Sequence, residues 1–441
     1  MQASVAGTVC PASTRVNALG HLEVAGCDVV ELASRFGTPL LIYDVGGLRD
    51  RCREYLAAFG SSYDDVTVVY AGKSFLCKAM CQIIADEDLG LDVSSGGELW
   101  MARDARFPAR DIVFHGNNKS TAELTLALEV GVGRIVVDSF HELALLERLA
   151  AERDVRQTIL LRLAPGVAAH THHALQTGHE RSKFGFPLRD AGAAARAALD
   201  APHLDLAGVH CHIGSQIFEL AAYAEAVEVL SAELAEWRER FAFDCREVNV
   251  GGGLAIDYLQ GDGAPSVEDL AAVVAGALKV TCARHGLPLP RLVVEPGRSI
   301  SGRAGLTAYT VGSVKDVPGS VRYVAVDGGM SDNPRPMLYG ARYEALVANR
   351  AAQAPTQDVA VVGKHCESGD VLVADARLAE VAPGDILVTP ATGAFCYSLA
   401  SNYNGQPRPA IVFVDQGSPH LVVRRETWAD VDRLHLPWRD R

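Results

Sequence analysis

Between Asp65 and Glu295 the chain alternates regularly, and nothing else in it restricts the fold as much: short β-branched runs are separated by longer stretches whose apolar residues recur at three- and four-residue steps. The runs are Val66–Tyr70, Leu89–Val93, Ile112–His115, Arg134–Val137, Thr158–Leu163, Leu206–His210, Glu247–Val250 and Leu292–Glu295, eight in all. Helical periodicity fills the gaps, as in Thr121–Val130, Ser139–Glu152, Ala221–Arg240 and Val267–His285. Eight βα units close naturally into a TIM-like (β/α)8 barrel.

After Gly305 helical periodicity nearly vanishes. Short strand candidates bounded by turn residues follow at Thr307–Val311, Arg322–Val326, Val359–Val362, Val371–Val373, Ile386–Val388, Ala410–Val414 and Leu421–Val423. That texture predicts an all-β sandwich or barrel, and the early run Leu40–Tyr43 is placed to complete it. The α/β chain is therefore expected to hold a discontinuous β domain: residues 1–44 contribute to it, 45–305 form the barrel, and 306–441 form its main part. A length of 441 residues suits two domains.

Several classes of function are disfavoured by composition. The formal net charge of −13, with no compensating block of lysines and arginines, repels phosphate backbones and anionic lipid, so no nucleic-acid partner is expected. No stretch of about 18 apolar residues is present, and Met1 to Gly20 lacks a basic start followed by an apolar run. These features predict an untargeted cytoplasmic protein without a membrane span. Ten cysteines scattered without a framework read as reduced thiols.

Active sites of eightfold barrels sit at the C-terminal ends of the strands, and that is where the unusual polar residues fall. Lys73 follows the first run, Asp92 ends the second, and His115-Gly116-Asn117 ends the third. His210-Cys211-His212 ends the sixth, Gly251-Gly252-Gly253 follows the seventh, and Glu295-Pro296-Gly297-Arg298 follows the eighth, where Pro296 restricts Glu295 to an extended backbone. Taken singly, each has a bland reading. Lysines are usually solvated, a glycine triplet can be only a tight turn, and His210 reads best as a hydrogen-bonded core histidine. Together they describe a cofactor socket: glycines let backbone N–H groups approach a phosphate, a carboxylate suits a protonated ring nitrogen, and a lysine suits an aldehyde. Those are the three handles of pyridoxal 5′-phosphate, and His212 is placed to stack on its ring. His170-Thr171-His172-His173 lacks carboxylate and cysteine partners at ligand spacing, so no metal is expected there.

These residues resemble the diaminopimelate decarboxylase family, of the alanine-racemase-like fold type of pyridoxal-phosphate enzymes, nearly end to end. Tyr70-Ala71-Gly72-Lys73 resembles the family's cofactor-lysine motif, and His212-Ile213-Gly214-Ser215-Gln216 its ring-stacking and phosphate motif. Glu295-Pro296-Gly297-Arg298 resembles its ring-nitrogen and substrate motif. More specific are Asp332-Asn333-Pro334-Arg335-Pro336-Met337-Leu338-Tyr339 and Gly363-Lys364-His365-Cys366-Glu367-Ser368-Gly369-Asp370.

The resemblance implies decarboxylation of meso-2,6-diaminopimelate to L-lysine, the last step of lysine biosynthesis, by a homodimer with shared sites. It implies that Lys73, Asp92, His212, Ser215, the Gly251–Gly253 triplet, Glu295, Gly297, Arg298 and Tyr397 hold the cofactor. Arg298, Arg335, Tyr339 and Tyr397 then meet the substrate, with Glu367 at its far ammonium, and Cys366 reaches from the partner subunit to protonate carbon. Three alternatives stand beside this: a sibling decarboxylase acting on carboxynorspermidine, ornithine, arginine or a secondary-metabolite precursor; a racemase on the same scaffold; and a non-catalytic cofactor carrier. The segment through Ala18 and the polar stretch Gly261–Ser266 fall outside the matched motifs.

Overall fold

The computed structural model describes residues 9–167, 182–319 and 321–439. It resolves into two compact units: residues 50–256 with 263–300, and residues 1–49 with 257–262 and 301–441.

In the first unit the eight expected strands are all present: β1 Val66–Ala71, β2 Gly90–Val93, β3 Ile112–Phe114, β4 Arg134–Val137, β5 Gln157–Ala164, β6 Leu204–His210, β7 Glu247–Asn249 and β8 Arg291–Val294. Each pairs in parallel with the next, and β8 returns to β1 through Leu292 opposite Val66, so the sheet closes without an edge. Serine side chains start several of the intervening helices: Ser120 caps Thr121–Val130 with a capping box completed by Glu123, Ser139 caps Phe140–Ala151, and Ser266 caps Val267–His285. Gly131 and Gly286 end two of them in left-handed backbone.

Val69, Val113, Val136, Leu160, Ala207 and Val293 point inward as an apolar layer. Burying a valine or leucine of this kind contributes about 1.5–3 kcal/mol. This plug closes the barrel interior, so the polar side chains beyond it gather at the C-terminal ends of the strands.

The second unit contains β9 Gly305–Asp316, β10 Arg322–Val326, β11 Gln357–Val362, β12 Val371–Leu378, β13 Ile386–Pro390, β14 Ala410–Asp415 and β15 Ser418–Val423. The early strand Leu40–Asp44 lies between β9 and β14. Val24, Leu40, Ile42, Leu306, Ala308, Val388, Val412 and Val414 build its core at alternate strand positions. β9 pairs with the early strand and β13 through its first half, and with β10 through its second, with a register shift at Val311–Ser313. A bulge there lets one long strand serve two pairings. The sequence predicts only Thr307–Val311 because the remainder, from Gly312 to Asp316, is largely exposed and shows no apolar alternation.

Two further features of this unit go beyond what the sequence reading specifies. The unit is mixed: β10 runs parallel to β11, and β14 parallel to the early strand. It also carries a helix, Val29–Phe36, started by the Asp28 carboxylate, which accepts from the Val30 and Glu31 N–H groups. At eight residues, with only Val29, Leu32 and Ala33 buried, its period is too brief to read from sequence.

Candidate active site

The C-terminal strand ends of the barrel bring together Lys73, Asp92, His212, Ser215, Gly251–Gly253, Glu295, Gly297 and Arg298, all of which the sequence singles out. Lys73 occupies a single 3-10 turn, Gly72–Ser74, directly after β1. Its Nζ donates to Asp92 Oδ2 at 3.0 Å, and Asp92 is fully buried. Burial pushes the Lys73 amine down, but the charges of Asp92 and Glu295 push it up further, so it sits above its ordinary value.

Glu295 follows β8 and is 3 % exposed. Its Oε1 accepts from His115 Nε2 and Asn249 Nδ2, both at 2.8 Å, and its Oε2 accepts from His210 Nε2 at 3.3 Å. Burial alone raises a carboxyl group; here the two imidazoles overcome it and hold Glu295 well below the usual range. The group is an ionised carboxylate, which only accepts hydrogen bonds, so both histidines present Nε2–H to it. Burial pushes His210 down to about 3, so it is neutral. His115, His210 and Glu295 lie close enough to suggest a metal triad, the one such cluster among the described residues, but the hydrogen bonds already occupy the atoms that an ion would need.

His212 lies just beyond β6. Its Nδ1 accepts the Gly252 N–H at 3.3 Å, which leaves the proton on Nε2, and burial together with the cations Lys73 and Arg162 holds its pKa well below the ordinary value. A neutral, flat imidazole is what ring stacking needs. The glycine turn admits no side chain: a Cβ on Gly252 would lie 1.9 Å from the Glu295 carbonyl oxygen, and one on Gly253 (φ +116°) 2.3 Å from that of Gly214. Arg298 is buried and donates from Nη2 at 2.8 Å and from Nε at 3.2 Å to Ser215 Oγ.

An amine, an ionised buried carboxylate, a neutral imidazole and a turn cleared of side chains fit pyridoxal phosphate handle for handle. Lys73 could hold its aldehyde, Glu295 its ring nitrogen, His212 its face and the glycine turn its phosphate.

The remaining predicted residues lie in the strand unit. Arg335 and Tyr339 open and close one short helix, Arg335–Tyr339. Arg335 is 3 % exposed, with its guanidinium 4.6 Å over the Tyr258 ring and donating to the Tyr343 hydroxyl. That hydroxyl lies 3.6 Å from Cys396 Sγ, next to Tyr397, which begins a 3-10 turn at Tyr397–Leu399. Cys366 and Glu367 are exposed on the turn between β11 and β12, where the Cys366 N–H donates to Asn404 Oδ1 at 3.0 Å. Buried beside them, His365 Nδ1 bonds Asp370 Oδ2 at 2.7 Å and pins the base of that turn. The His170–His173 segment lies outside the described residues.

Asn249, Tyr258 and Tyr343 are absent from the sequence reading, His115 enters it without a role, and His210, read there as a hydrogen-bonded core histidine, is buried and bonded to Glu295. Asn249 was within reach, as a polar residue at the last position of β7, separated from the glycine triplet only by Val250. Tyr258 and Tyr343 carry no local signal, because only folding stacks Tyr258 on Arg335 and sets Tyr343 beside it.

A family profile described as "Pyridoxal-dependent decarboxylase, pyridoxal binding domain" matches residues 31–302. The chain is 49 % identical over 430 residues to the diaminopimelate decarboxylase of Bacillus subtilis, covering 97 % of this chain and 98 % of that one. It is 45 % identical over 444 residues to the diaminopimelate decarboxylase of Mycobacterium tuberculosis, covering 98 % of each. Among solved structures it resembles diaminopimelate decarboxylase from M. jannaschii in co-complex with L-lysine, with TM-score 0.90, 31 % identity, and coverage of 97 % of this chain and 98 % of that one.

Proposed function

We infer that this chain, which belongs to the diaminopimelate decarboxylase family of pyridoxal-dependent decarboxylases, releases carbon dioxide from meso-2,6-diaminopimelate and leaves L-lysine. The observation that carries the chemistry is the pairing, at one end of one barrel, of the Lys73 amine with the ionised, buried Glu295. The substrate assignment rests on full-length similarity to relatives of that name, and on the lysine held by the M. jannaschii protein.

Pyridoxal phosphate, when bound, supplies the electron sink that a departing carboxylate requires. The chain's own groups do the rest. Lys73 provides the amine that holds the cofactor, with Asp92 fixing its direction. Glu295 keeps a proton at the ring-nitrogen position, and His212 covers one face. Arg298, Arg335 and Tyr339 bind the substrate's far carboxylate, a group that a plain diamine precursor such as ornithine lacks, and Glu367 binds its far ammonium. Tyr397 serves both phosphate and substrate. Cys366 Sγ gives the α-carbon the proton that replaces the lost carboxylate.

This assignment makes the working form a homodimer, with Cys366 and Glu367 serving the partner's site. Their exposure in a single chain supports that arrangement. We also place the protein in the cytoplasm. No disulfide joins its cysteines, and among the described residues no helix is long and apolar enough to cross a membrane.

The deciding experiment is carbon dioxide release over a panel of meso-diaminopimelate, lysine, ornithine, arginine and carboxynorspermidine. Release from meso-diaminopimelate above all others is expected. Release from another member, with none from meso-diaminopimelate, would overturn the substrate and leave a sibling decarboxylase.

A further inference from the structure

Asn249 bonds in two directions at once. Its Nδ2 donates to Glu295 Oε1 at 2.8 Å, while its Oδ1 accepts the Gly251 N–H at 2.9 Å. The backbone repeats the link, since the Glu295 N–H donates to the Gly251 carbonyl at 2.8 Å. One buried amide thus ties the carboxylate after β8 to the glycine turn after β7. The other two contacts on that carboxylate come from His115 and His210, whose rings meet edge to face with centroids 4.7 Å apart. Three donors from three different strand ends therefore fix a carboxylate that is 3 % exposed.

We propose that Asn249, His115 and His210 form a positioning clamp for Glu295, and that Asn249 couples the ring-nitrogen end of the cofactor socket to its phosphate end. This deepens the pyridoxal-phosphate reading above and depends on it.

The chemistry of the donors supports a positioning role. A carboxylate that must share a proton with a pyridine nitrogen needs its charge retained and its direction fixed. Each Nε2–H and the Asn249 amide lends a hydrogen bond from its own fixed direction, so the carboxylate cannot turn away from the ring-nitrogen position. His210 cannot turn into a cation at working pH, because it is buried with no partner for its Nδ1 among the described residues. Glu295 also acts through its charge on Lys73 and Arg162, which lie on other strands and make none of these three bonds.

Asn249→Asp is the sharpest variant. It keeps the acceptor for Gly251 and replaces the donor facing Glu295 with a second carboxylate oxygen, so the two acids compete for one proton. The holoenzyme is loaded with pyridoxal phosphate labelled with 15N in the ring, and the nitrogen resonance is read beside steady-state kinetics. The wild type should show a protonated nitrogen. Asn249→Asp should move the signal toward the unprotonated position and lower kcat by roughly tenfold or more, the worth of one hydrogen bond to a charged group, with KM changed less than about twofold.

The His115 pair guards against misfolding of that variant. His115→Leu should shift the nitrogen signal in the same sense, and His115→Gln, which can still donate, should restore it. An unshifted signal with wild-type kcat in Asn249→Asp and His115→Leu would overturn the clamp, as would equal damage from His115→Leu and His115→Gln. A shifted nitrogen signal in an enzyme that releases no carbon dioxide from meso-diaminopimelate would remove the substrate assignment and leave the clamp standing.

Discussion

Lys73 Nζ donates to Asp92 Oδ2 at 3.0 Å, from a side chain that remains 38 % exposed to a partner that is fully buried. The carboxylate aims the amine while the side chain as a whole keeps some exposure. Lys73→Ala should therefore abolish the visible absorbance that pyridoxal phosphate acquires on a protein lysine, and lower carbon dioxide release by roughly 10³-fold. A retained visible band would remove Lys73 from its assigned role.

Gly252 has the tightest surroundings of the phosphate turn, where a Cβ would come within 1.9 Å of the Glu295 carbonyl oxygen. Since that neighbour is backbone, Gly252→Ala should cost about 1–3 kcal/mol through forced displacement. It should also weaken retention of pyridoxal phosphate, because the displaced strand end carries Glu295. Thermal unfolding and dialysis of the holoenzyme measure the two effects, and a variant matching the wild type in both would show that the turn tolerates a side chain.

Acid should destabilise the barrel well before ordinary carboxylates titrate. His210 has an ordinary value of 6.5 in the unfolded chain and is pushed down by burial to about 3 in the fold. Between those values the unfolded state binds a proton that the folded state refuses, so stability falls as pH falls, by up to about 1.4 kcal/mol per pH unit. Glu295 acts in the same direction at lower pH: its stabilisation is present above about 4.5 and is lost as pH drops toward its depressed folded value. Denaturant unfolding of the apoprotein from pH 7 to 4 should show this slope, and His210→Gln should flatten it between pH 6.5 and 4.5. An unchanged slope in that variant would assign the acid sensitivity elsewhere.

Cys366 sits on an exposed turn. Cys366→Ala should keep the visible absorbance of the bound cofactor and lose turnover by roughly 10²–10⁴-fold, as expected for a general acid. Mixing inactive Lys73→Ala and Cys366→Ala subunits should restore about one quarter of wild-type activity, because half of the randomly formed dimers are mixed and each holds one intact site. No recovery after verified subunit exchange would count against a shared site.

The barrel was legible in the sequence because its strands are buried on both faces and punctuated by capped helices, so every unit left a local hydrophobic signature. Lys73, His212, Gly251–Gly253 and Glu295 stood out for a related reason: strand ends place polar residues where an apolar run should simply stop. Residue types at those ends were enough to name the three handles of a cofactor.

What tertiary structure alone decided is which polar groups satisfy one another. Asn249 and Glu295 are 46 residues apart, and His115 and Glu295 180 apart. Their hydrogen bonds form only when the closed sheet brings β3, β6, β7 and β8 round to one end. The same holds for Tyr258 and Tyr343 on Arg335, and for the parallel pairings that make the strand unit mixed. Hydrophobic period is written along the chain, residue by residue. The charge state of a buried carboxylate is set by neighbours that only closure of the barrel supplies.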